Sequence, residues 1–374
     1  MKYYIIAGEA SGDLHGSNLI KNLKVQDTGA EFRCWGGDLM QQAGADLVKH
    51  YNQMAFMGFT EVVKNLRTIL KNIKHCKHDI REWKPDAIIL IDYAGFNLRI
   101  AKFATEQGFK VFYYISPKVW VWKESRVKKI KKYVHHMFVI LPFEVGFYKK
   151  HHYEVTYVGN PLVDAIENFN RHYNQSAEDF RAECHLDREK PIIALLAGSR
   201  KQEINDLLPI MCSISTLYPD YEFVLAAAAS LPESFYKPKI EGFPVKMVYN
   251  KTYELLQHAH TAIVTSGTAT LETGIFNVPE VVIYKTNPLT YRLGMLFVNI
   301  TYISLVNLIM GKEVVKELIQ FNLEKRTRQE LDRLLNDDIY RQTMLDNLKM
   351  LNQKMGEPGA SGRTARGILD RLMQ

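Results

Sequence analysis

The amino-acid sequence predicts an α/β protein with two tandem doubly wound domains, each a parallel sheet covered by helices on both faces. Three observations support this fold class. The chain of 374 residues is too long for one ordinary α/β core. Strand and helix signals alternate through its first half, and the same alternation begins again after a polar stretch. We therefore expect two domains that face each other across a cleft.

The first predicted domain spans residues 1–165. It opens with a β-prone run at 3–7, followed from Leu14 by apolar residues at helical spacing. Residues 87–91 form a continuous apolar run of the kind found in buried parallel strands. The remaining predicted elements are a strand at 31–36, a helix at 57–76, and strands at 111–115 and 136–141.

The second predicted domain spans residues 185–345 and follows a polar linker with one helix at 165–190. Its predicted strands are 192–196, 221–227, 245–249, 261–264 and 280–284. Residues 346–374 form a charged helical tail. We expect this tail to pack on the N-terminal domain or on a partner subunit.

The composition is typical of a globular protein in a reducing compartment. Hydrophobic residues make up 47% of the chain and charged residues 24%, which excludes a disordered protein. The four cysteines, Cys34, Cys76, Cys184 and Cys212, are scattered without metal-ligand spacing. We therefore expect no bound metal and no cofactor. The N-terminus lacks the apolar core and cleavage site of a signal peptide, which favours a cytoplasmic protein.

Positive charge is concentrated in one region of the chain. The formal net charge is +7, from 48 Lys and Arg against 41 Asp and Glu. The basic cluster comprises Lys118, Lys123, Arg126, Lys128, Lys129, Lys131, Lys132, Lys149 and Lys150. Such a cluster suits an anionic membrane surface or a nucleic acid, and a solvated helix face is the alternative.

The segment at 293–310 is unusually apolar. It approaches the ~20 residues of a membrane-spanning helix. It also carries Asn299, Thr301, Ser304 and Asn307, whose polar side chains favour a buried or interfacial segment.

Loops that follow the predicted strands collect the polar residues of a candidate site, because ligands of open α/β sheets bind beyond the carboxyl ends of strands. The loop at 8–13 carries Glu9 and Asp13 among small residues, and Asp92 follows a buried strand. An ionised carboxylate can take a hydroxyl proton, so Asp92 and Glu9 are both candidate general bases. Asp13 suits a cap of the first helix. Asp86, at the start of the strand, suits a structural cap at the opposite sheet edge.

Two further loops predict a nucleotide-sugar site. Their members are Gly198, Ser199 and Arg200 after one strand, and Ser266, Gly267 and Thr268 after another. Residues 266–268 open a helix, where free N–H groups and hydroxyls suit a diphosphate, and Arg200 supplies a matching cation. Glu272 lies one turn beyond Thr268, where a carboxylate can accept two ribose hydroxyls; a capping box is the alternative.

The most distinctive stretches of the chain are residues 7–16 and 114–122, the latter containing Ser-Pro-Lys-Val-Trp-Val-Trp. Others are 56–62, 91–92 with 96–97, 141–144, 158–162, 196–200, 266–272 and 315–320. With these stretches in order over nearly its whole length, the chain closely resembles the lipid-A-disaccharide synthase family. That family consists of glycosyltransferases of the GT-B type, which have two Rossmann-like domains.

The resemblance implies an inverting, metal-independent transfer from UDP-2,3-diacylglucosamine to 2,3-diacylglucosamine 1-phosphate, which yields a β-1,6-linked disaccharide 1-phosphate and UDP. It implies a protein that works peripherally on the inner face of the inner membrane. It also implies roles for Arg200, for Asn307 and, against the sheet-edge interpretation, for Asp86. Family members can exchange C-terminal segments in a dimer, so a monomer and a homodimer both stay open.

The residues and the resemblance together predict three sets of site residues. The catalytic set is Asp92, Glu9 and Arg200. The nucleotide-sugar set is Gly198, Ser199, Arg200, Ser266, Gly267, Thr268, Glu272, Asn307, Glu317 and Gln320. The acceptor-side set is Ser11, Gly12, Asp13 and Asp86. Many family members carry a second aspartate in Ile-Asp-Ala-Pro-Asp-Phe-Asn, proposed as the base, where this chain has Tyr93-Ala94-Gly95. The base therefore falls on Asp92 or Glu9, or stays open.

Both implied substrates carry acyl chains, which apolar segments of the protein are suited to bind. We expect residues 56–59, Trp120, Trp122 and the segment 293–310 to meet acyl chains or the bilayer interface, and the basic cluster to meet anionic headgroups. Two alternatives stay open. One is another UDP-sugar transferase or a two-Rossmann sugar epimerase, and the other is a basic, nucleotide-regulated RNA- or membrane-binding module without catalysis. Since few aromatic residues lie among the lysines, we expect no nucleic-acid partner.

Overall fold

The computed structural model describes residues 1–54, 65–122, 124–228, 230–288, 291–292 and 301–374, apart from the side chain of Trp122. The chain divides into two compact units. The N-terminal unit comprises Met1–Asp164 and Glu357–Gln374, and the C-terminal unit comprises Ala165–Gly356. The expectations for residues 56–59, Lys123, the Trp122 side chain and residues 293–300 lie outside the described residues.

The N-terminal unit is built on seven parallel strands. They are β1 (Lys2–Ala7), β2 (Glu31–Gly36), β3 (Asp46–His50), β4 (Ala87–Ile91), β5 (Lys110–Tyr114), β6 (His136–Val139) and β7 (Thr156–Tyr157). Their order in the sheet is β3-β2-β1-β4-β5-β6-β7. The helices between them are α1 (Ala10–Gln26), α2 (Asp38–Gln42), α3 (Leu66–Trp83), α4 (Ala94–Glu106), α5 (Val119–Trp122), α6 (Val127–Tyr133) and α7 (Pro142–Lys150).

Strand β4 shows why the sequence of a central strand is continuously apolar. All five of its residues are buried. Ile88 and Leu90 pack into the core on one face of the sheet, and Ala87, Ile89 and Ile91 pack into the core on the other face. Because helices cover both faces, neither alternate set of side chains reaches solvent.

The C-terminal unit repeats this architecture on six parallel strands. They are β8 (Ile192–Leu196), β9 (Glu222–Ala227), β10 (Val245–Tyr249), β11 (Ala259–Thr265), β12 (Glu280–Tyr284) and β13 (Lys316–Ile319). Their order is β10-β9-β8-β11-β12-β13. The helices are α8 (Pro161–His172), whose sequence spans the division, α9 (Ala177–Glu183), α10 (Lys201–Ser215), α11 (Glu233–Ile240), α12 (Thr252–His258), α13 (Thr268–Ile275), α14 (Leu305–Met310), α15 (Leu323–Asn336) and α16 (Asp338–Met355).

The last helix, α17 (Ala360–Leu372), belongs to the N-terminal unit and packs against α1. The Asp164 carboxylate accepts hydrogen bonds from the backbone N–H groups of Gly359 and Ala360, which begin this helix. Arg363 donates from Nε to the carbonyl of Val158 at 2.8 Å. These contacts tie the C-terminal residues to the end of the seven-stranded sheet.

The predicted fold class, α/β with two doubly wound Rossmann-like domains, is confirmed. The central strands match the sequence prediction within two or three residues. Strands β3, β7 and β13 were not predicted. Of the helix predicted at 57–76, residues 57–64 lie outside the described residues and the rest is observed as α3, which begins at Leu66 and continues to Trp83. Within the described residues, no helix has the length and apolarity that a membrane span requires.

Candidate active site

The loop at 8–13 and Asp92 leave the N-terminal sheet side by side. Strands β1 and β4 are neighbours, and Ala7 pairs with Ile91 at their carboxyl ends. The strand order reverses between these two strands, which makes this edge the switch point where ligands of doubly wound sheets bind. The predicted candidate bases, Glu9 and Asp92, therefore lie at one place.

The backbone at Asp92 is held in an unusual conformation. Asp92 and Tyr93 have φ angles of 42° and 46°, in the left-handed region that costs a residue with a side chain about 1 kcal/mol or more. The buried amide of Asn97 donates to the carbonyls of Ile91 at 3.1 Å and Asp92 at 2.8 Å. The Tyr113 hydroxyl also donates to the Asp92 carbonyl. These bonds fix the direction in which the Asp92 side chain leaves the strand.

The surroundings of the Asp92 side chain raise its pKa. Burial and the negative charge of Glu9 raise the pKa of Asp92 to about 6, and the positive charge of Lys118 opposes the rise. Glu9 and Lys118 are exposed, whereas Asp92 is only partly accessible. A half-buried carboxylate with a pKa near physiological pH is suited to general-base chemistry. Lys118 was placed only in the basic cluster by sequence reasoning, although its Ser-Pro-Lys stretch is part of the resemblance.

The small residues at 8–13, of which 10–13 form the first turn of α1, serve the packing of the site. A Cβ atom on Gly8 would overlap the ring of Tyr93. The Tyr93 hydroxyl donates to the carbonyl of Met54 at 2.8 Å, which keeps the ring in this position. Gly12 is buried against Ala7, and Ser11 is exposed. Positions 8 and 12 therefore leave no room for a larger side chain, because Tyr93 lies against Gly8 and β1 lies against Gly12.

Asp13 does not cap its own helix. Its buried carboxylate accepts hydrogen bonds from the backbone N–H groups of Gly37 at 2.8 Å, Leu39 at 3.1 Å and Met40 at 3.1 Å. These groups lie at the start of α2, so the side chain caps that helix instead. The prediction of a cap on the first helix is wrong, because a carboxylate in the first turn of α1 points sideways toward α2.

Asp86 lies at the amino ends of the strands. Its carboxylate accepts from the backbone N–H of Lys2 at 2.7 Å, and its own N–H donates to the Lys2 carbonyl at 2.9 Å. The whole of β4 separates it from Asp92. The structure thus gives Asp86 the structural position that the sequence pattern predicts, and does not bring it to the loop at 8–13 as the resemblance implied.

In the C-terminal unit, the switch point lies between β8 and β11. Gly198 has a φ angle of 95°, and a Cβ atom there would come within 2.7 Å of Glu203 Oε2. Arg200 is the N-cap residue of α10. Its exposed guanidinium donates from Nη1 to Glu203 Oε1 at 3.1 Å. The cation is therefore held at the strand tip by a surface ion pair that an anionic ligand can replace.

The start of α13 lies at the tip of β11. Gly267 is the N-cap residue, and Gly267 and Thr268 are exposed, so the first N–H groups of the helix reach solvent. The Ser266 hydroxyl, however, donates to the carbonyl of Ile303 at 2.9 Å. The prediction that all hydroxyls here converge on one ligand is wrong for Ser266, whose proton is engaged within the protein.

Glu272 lies one turn into α13 and is largely buried. It accepts a hydrogen bond from the hydroxyl of Tyr253 at 3.0 Å. Burial raises the pKa of Glu272, and the Tyr253 bond opposes the rise. The capping-box alternative is not observed, since the side-chain partner is Tyr253 and the N-cap residue is a glycine. Tyr253 had no signal in the sequence.

The other three predicted nucleotide-sugar residues bond mainly to backbone groups. Asn307 and Glu317 bind each other and the segments around Ser304 and Val315. Gln320 accepts from the N–H of Thr286 at 3.1 Å and donates to its carbonyl at 2.9 Å. Gln320 thus joins the loops at the carboxyl ends of β12 and β13, whereas Asn307 and Glu317 join the start of α14 to the residues at the start of β13. In the part of the chain that the structure describes, no group of three or more His, Cys, Asp or Glu side chains is arranged to hold a metal.

Part of the basic cluster forms one surface on the N-terminal unit. Lys131 Nζ donates to the carbonyl of His151 at 2.8 Å, which joins α6 to the end of α7. The exposed lysines of this basic surface are Lys128, Lys129, Lys131, Lys132, Lys149 and Lys150. Trp120 packs edge-on against Phe143 and donates from Nε1 to the buried Glu144 carboxyl at 3.3 Å.

Comparisons with known proteins agree with this architecture. The family model for lipid-A-disaccharide synthetase matches residues 3–360. A lipid-A-disaccharide synthase of Trichlorobacter lovleyi is 37% identical, over 99% of this chain and 97% of its own length. That of Geobacter metallireducens is 38% identical, over 98% and 96%.

Solved structures resemble the chain in fold. One is a UDP-GlcNAc 2-epimerase from Neisseria meningitidis bound to UDP-GlcNAc, with a TM-score of 0.63, 14% identity and full coverage of both chains. Another is the calicheamicin glycosyltransferase CalG4, with a TM-score of 0.62 and 13% identity, covering all of this chain and 98% of that one. At such identities the likeness shows the GT-B fold alone.

Proposed function

Since the chain belongs to the lipid-A-disaccharide synthase family, it is a glycosyltransferase of lipid A synthesis, and we propose its substrates and mechanism. The donor is UDP-2,3-diacylglucosamine and the acceptor is 2,3-diacylglucosamine 1-phosphate. Transfer with inversion gives a β-1,6-linked disaccharide 1-phosphate and UDP. The observation that carries the chemistry is the half-buried Asp92 carboxylate, with its pKa of about 6, at the switch point of the N-terminal unit.

In this proposal Asp92 is the general base. The acceptor 6-hydroxyl attacks the anomeric carbon of the donor, its proton passes to the Asp92 carboxylate, and the bond to UDP breaks. With a pKa of about 6, Asp92 is mostly ionised at neutral pH. A positioned base of this kind contributes roughly 10²–10⁴-fold to a rate. Glu9, which is exposed beside it, tunes that pKa instead of taking the proton.

The C-terminal unit supplies the donor site. The N–H groups at the start of α13 and the guanidinium of Arg200 meet the diphosphate, where negative charge grows as UDP departs. Glu272 accepts hydroxyls of the ribose, and the half-buried Tyr253 holds its carboxyl group in place. The ion pair of Arg200 with Glu203 opens to release the guanidinium.

A UDP-release assay with both substrates tests this function. The wild-type chain should release UDP only when donor and acceptor are both present. Asp92→Asn should lower kcat roughly 10²–10⁴-fold, and Arg200→Ala roughly 10²–10³-fold, because each removes a group that acts on charge in the transition state.

The control is Lys325→Ala, which removes an exposed cation at the start of α15 and should leave the rate unchanged. UDP release or sugar isomerisation from the donor alone would favour the epimerase alternative. No release with both substrates would refute the proposal. Full activity in Asp92→Asn would refute the assignment of the base, and loss of activity in Glu9→Gln alone would move the assignment to Glu9.

We also propose that the basic surface binds the cytoplasmic face of the inner membrane, where the acylated substrates reside. Each lysine near an anionic bilayer contributes about 1 kcal/mol, so six exposed lysines suffice for peripheral binding. The protein should float with vesicles containing phosphatidylglycerol. The quadruple change of Lys128, Lys129, Lys149 and Lys150 to Gln should abolish flotation at low salt. Equal flotation of the two proteins would contradict the proposal.

A further inference from the structure

Glu317 lies at the centre of a buried hydrogen-bond network in the C-terminal unit. Its carboxylate accepts from the backbone N–H of Ile303 at 2.8 Å and of Ser304 at 2.9 Å. It also accepts from the side-chain amide of Asn307 at 2.8 Å. Three N–H donors around one carboxylate are the arrangement that stabilises its charged form.

Asn307 is fully buried and its side chain has no bonding capacity left. Its amide nitrogen donates to Glu317 and to the Val315 carbonyl, both at 2.8 Å. Its amide oxygen accepts from the N–H groups of Val314 at 2.7 Å and Val315 at 3.0 Å. A side-chain amide has two donor and two acceptor positions, and all four are used. Asn307 therefore acts on a ligand only through its neighbours.

The network ends at the proposed diphosphate site. The N–H of Ile303 donates to Glu317, and the carbonyl of Ile303 accepts a hydrogen bond from the Ser266 hydroxyl at 2.9 Å. Ser266 immediately precedes Gly267, the N-cap residue of α13. A continuous line of hydrogen bonds thus runs from Asn307 through Glu317 and Ile303 to Ser266, which precedes the N-cap residue of α13.

A second carboxyl group, that of Glu280, lies on the strand that neighbours Glu317. Glu280 is fully buried on β12, and among the described residues its oxygens accept no hydrogen bond. Glu280 lies on the same face of the sheet as Glu317. Val282 pairs with Glu317 on the neighbouring strand, and residues two apart in a strand, such as Glu280 and Val282, point to the same face. Burial, and then the charge of Glu317, raise the pKa of Glu280 well above its ordinary value.

We propose that Glu317 is a positioning residue of the donor site: oriented by Asn307, it fixes Ile303 so that Ser266 holds the start of α13 in the geometry that binds the diphosphate. The residue itself does not touch the nucleotide. This inference rests on the proposed donor site, and it changes the predicted roles of Asn307 and Glu317 from ligand contact to support. Because the start of α13 meets the diphosphate both in the bound donor and as UDP departs, its displacement should raise the donor KM and also lower kcat.

A double-mutant cycle read by titration calorimetry with UDP tests the proposal on the full chain. Glu317→Gln replaces an acceptor by an amide that faces backbone N–H groups, and should weaken UDP binding roughly tenfold. Ser266→Ala removes the hydroxyl at the other end of the line and should cost about as much. If the two act through one line of bonds, the double variant should also lose roughly tenfold, not a hundredfold. In the transfer assay the donor KM should rise in parallel and kcat should fall, whereas Glu313→Gln should change neither.

The matched control is Glu313→Gln, which alters an exposed carboxylate paired with Lys316 on the same loop and should bind UDP as wild type does. The proposal would be overturned if the double variant lost UDP affinity roughly a hundredfold, or if Glu317→Gln bound UDP with wild-type affinity. If Glu317→Gln does not fold, Glu317→Asp keeps the charge and supplies the same cycle. A wild-type chain that binds no UDP would instead refute the donor site.

Discussion

Opposing effects of burial and charge set the pKa of Asp92. Burial and Glu9 favour its protonated form, and Lys118 favours the carboxylate. The resulting pKa of about 6 leaves a base that is ionised at neutral pH and still basic enough to accept a hydroxyl proton. The sequence places Asp92 at a strand tip, but the balance depends on Lys118, which reaches Asp92 only through the fold.

The pH dependence of kcat/KM tests this balance. Activity should fall as the pH drops through about 6, where Asp92 becomes protonated. Glu9→Gln removes a charge that raises the pKa, so the acid limb should move to lower pH. Lys118→Met removes a charge that lowers the pKa, so the limb should move to higher pH. Each displacement should be roughly half a unit to one unit.

The acceptor phosphate also titrates near pH 6, but it contributes equally in every variant, so opposite displacements isolate Asp92. Lys102→Met, which alters an exposed lysine of α4 paired with Glu106, should leave the limb in place. Displacement of both limbs in the same direction would contradict the assignment of Asp92 as the titrating base.

At the scale of secondary-structure elements, Asp13 shows how a side chain of one helix can fix another. It belongs to α1 but holds the first turn of α2 through three N–H groups. A sequence pattern reveals caps within a helix, because cap and helix are adjacent in the chain. It does not reveal this one, because Gly37 is 24 residues from Asp13.

Asp13→Asn should therefore destabilise the N-terminal unit and leave donor binding intact. The amide group would direct N–H against the N–H groups of α2, which costs about 1–3 kcal/mol of unfolding free energy. Thermal unfolding should show a lower Tm, while calorimetry should show unchanged UDP affinity. Ser11→Ala, two residues earlier and exposed, is the control. A variant of wild-type Tm would contradict the capping role.

The strands that sequence reasoning missed are edge strands. β3, β7 and β13 each have one neighbour in their sheets. Most of their residues are only partly buried, and β13 reads Lys-Glu-Leu-Ile. Edge strands need no continuous apolar run, because solvent reaches one side of them. The central strands were predictable because both of their faces are buried.

At the scale of the whole molecule, the positions of the site loops could be predicted and their internal contacts could not. The loops after β1, β4, β8 and β11 follow the four strands that flank the two switch points. Their places follow from strand order alone. The partners of Ser266, Asn307 and Glu317 lie in segments that the fold brings together. The sequence therefore predicted contact with a ligand where the structure shows bonds within the protein.

The proposed activity joins two acylated glucosamines with inversion at the anomeric carbon of the donor. The most direct test is the anomeric configuration of the product formed from UDP-2,3-diacylglucosamine and 2,3-diacylglucosamine 1-phosphate, determined by proton NMR. We predict a tetraacyl disaccharide 1-phosphate whose new linkage shows the large H1–H2 coupling of a β-glucosaminide joined to the acceptor O6. A small coupling, typical of an α linkage, would contradict inversion, and the absence of any disaccharide would contradict the proposed activity.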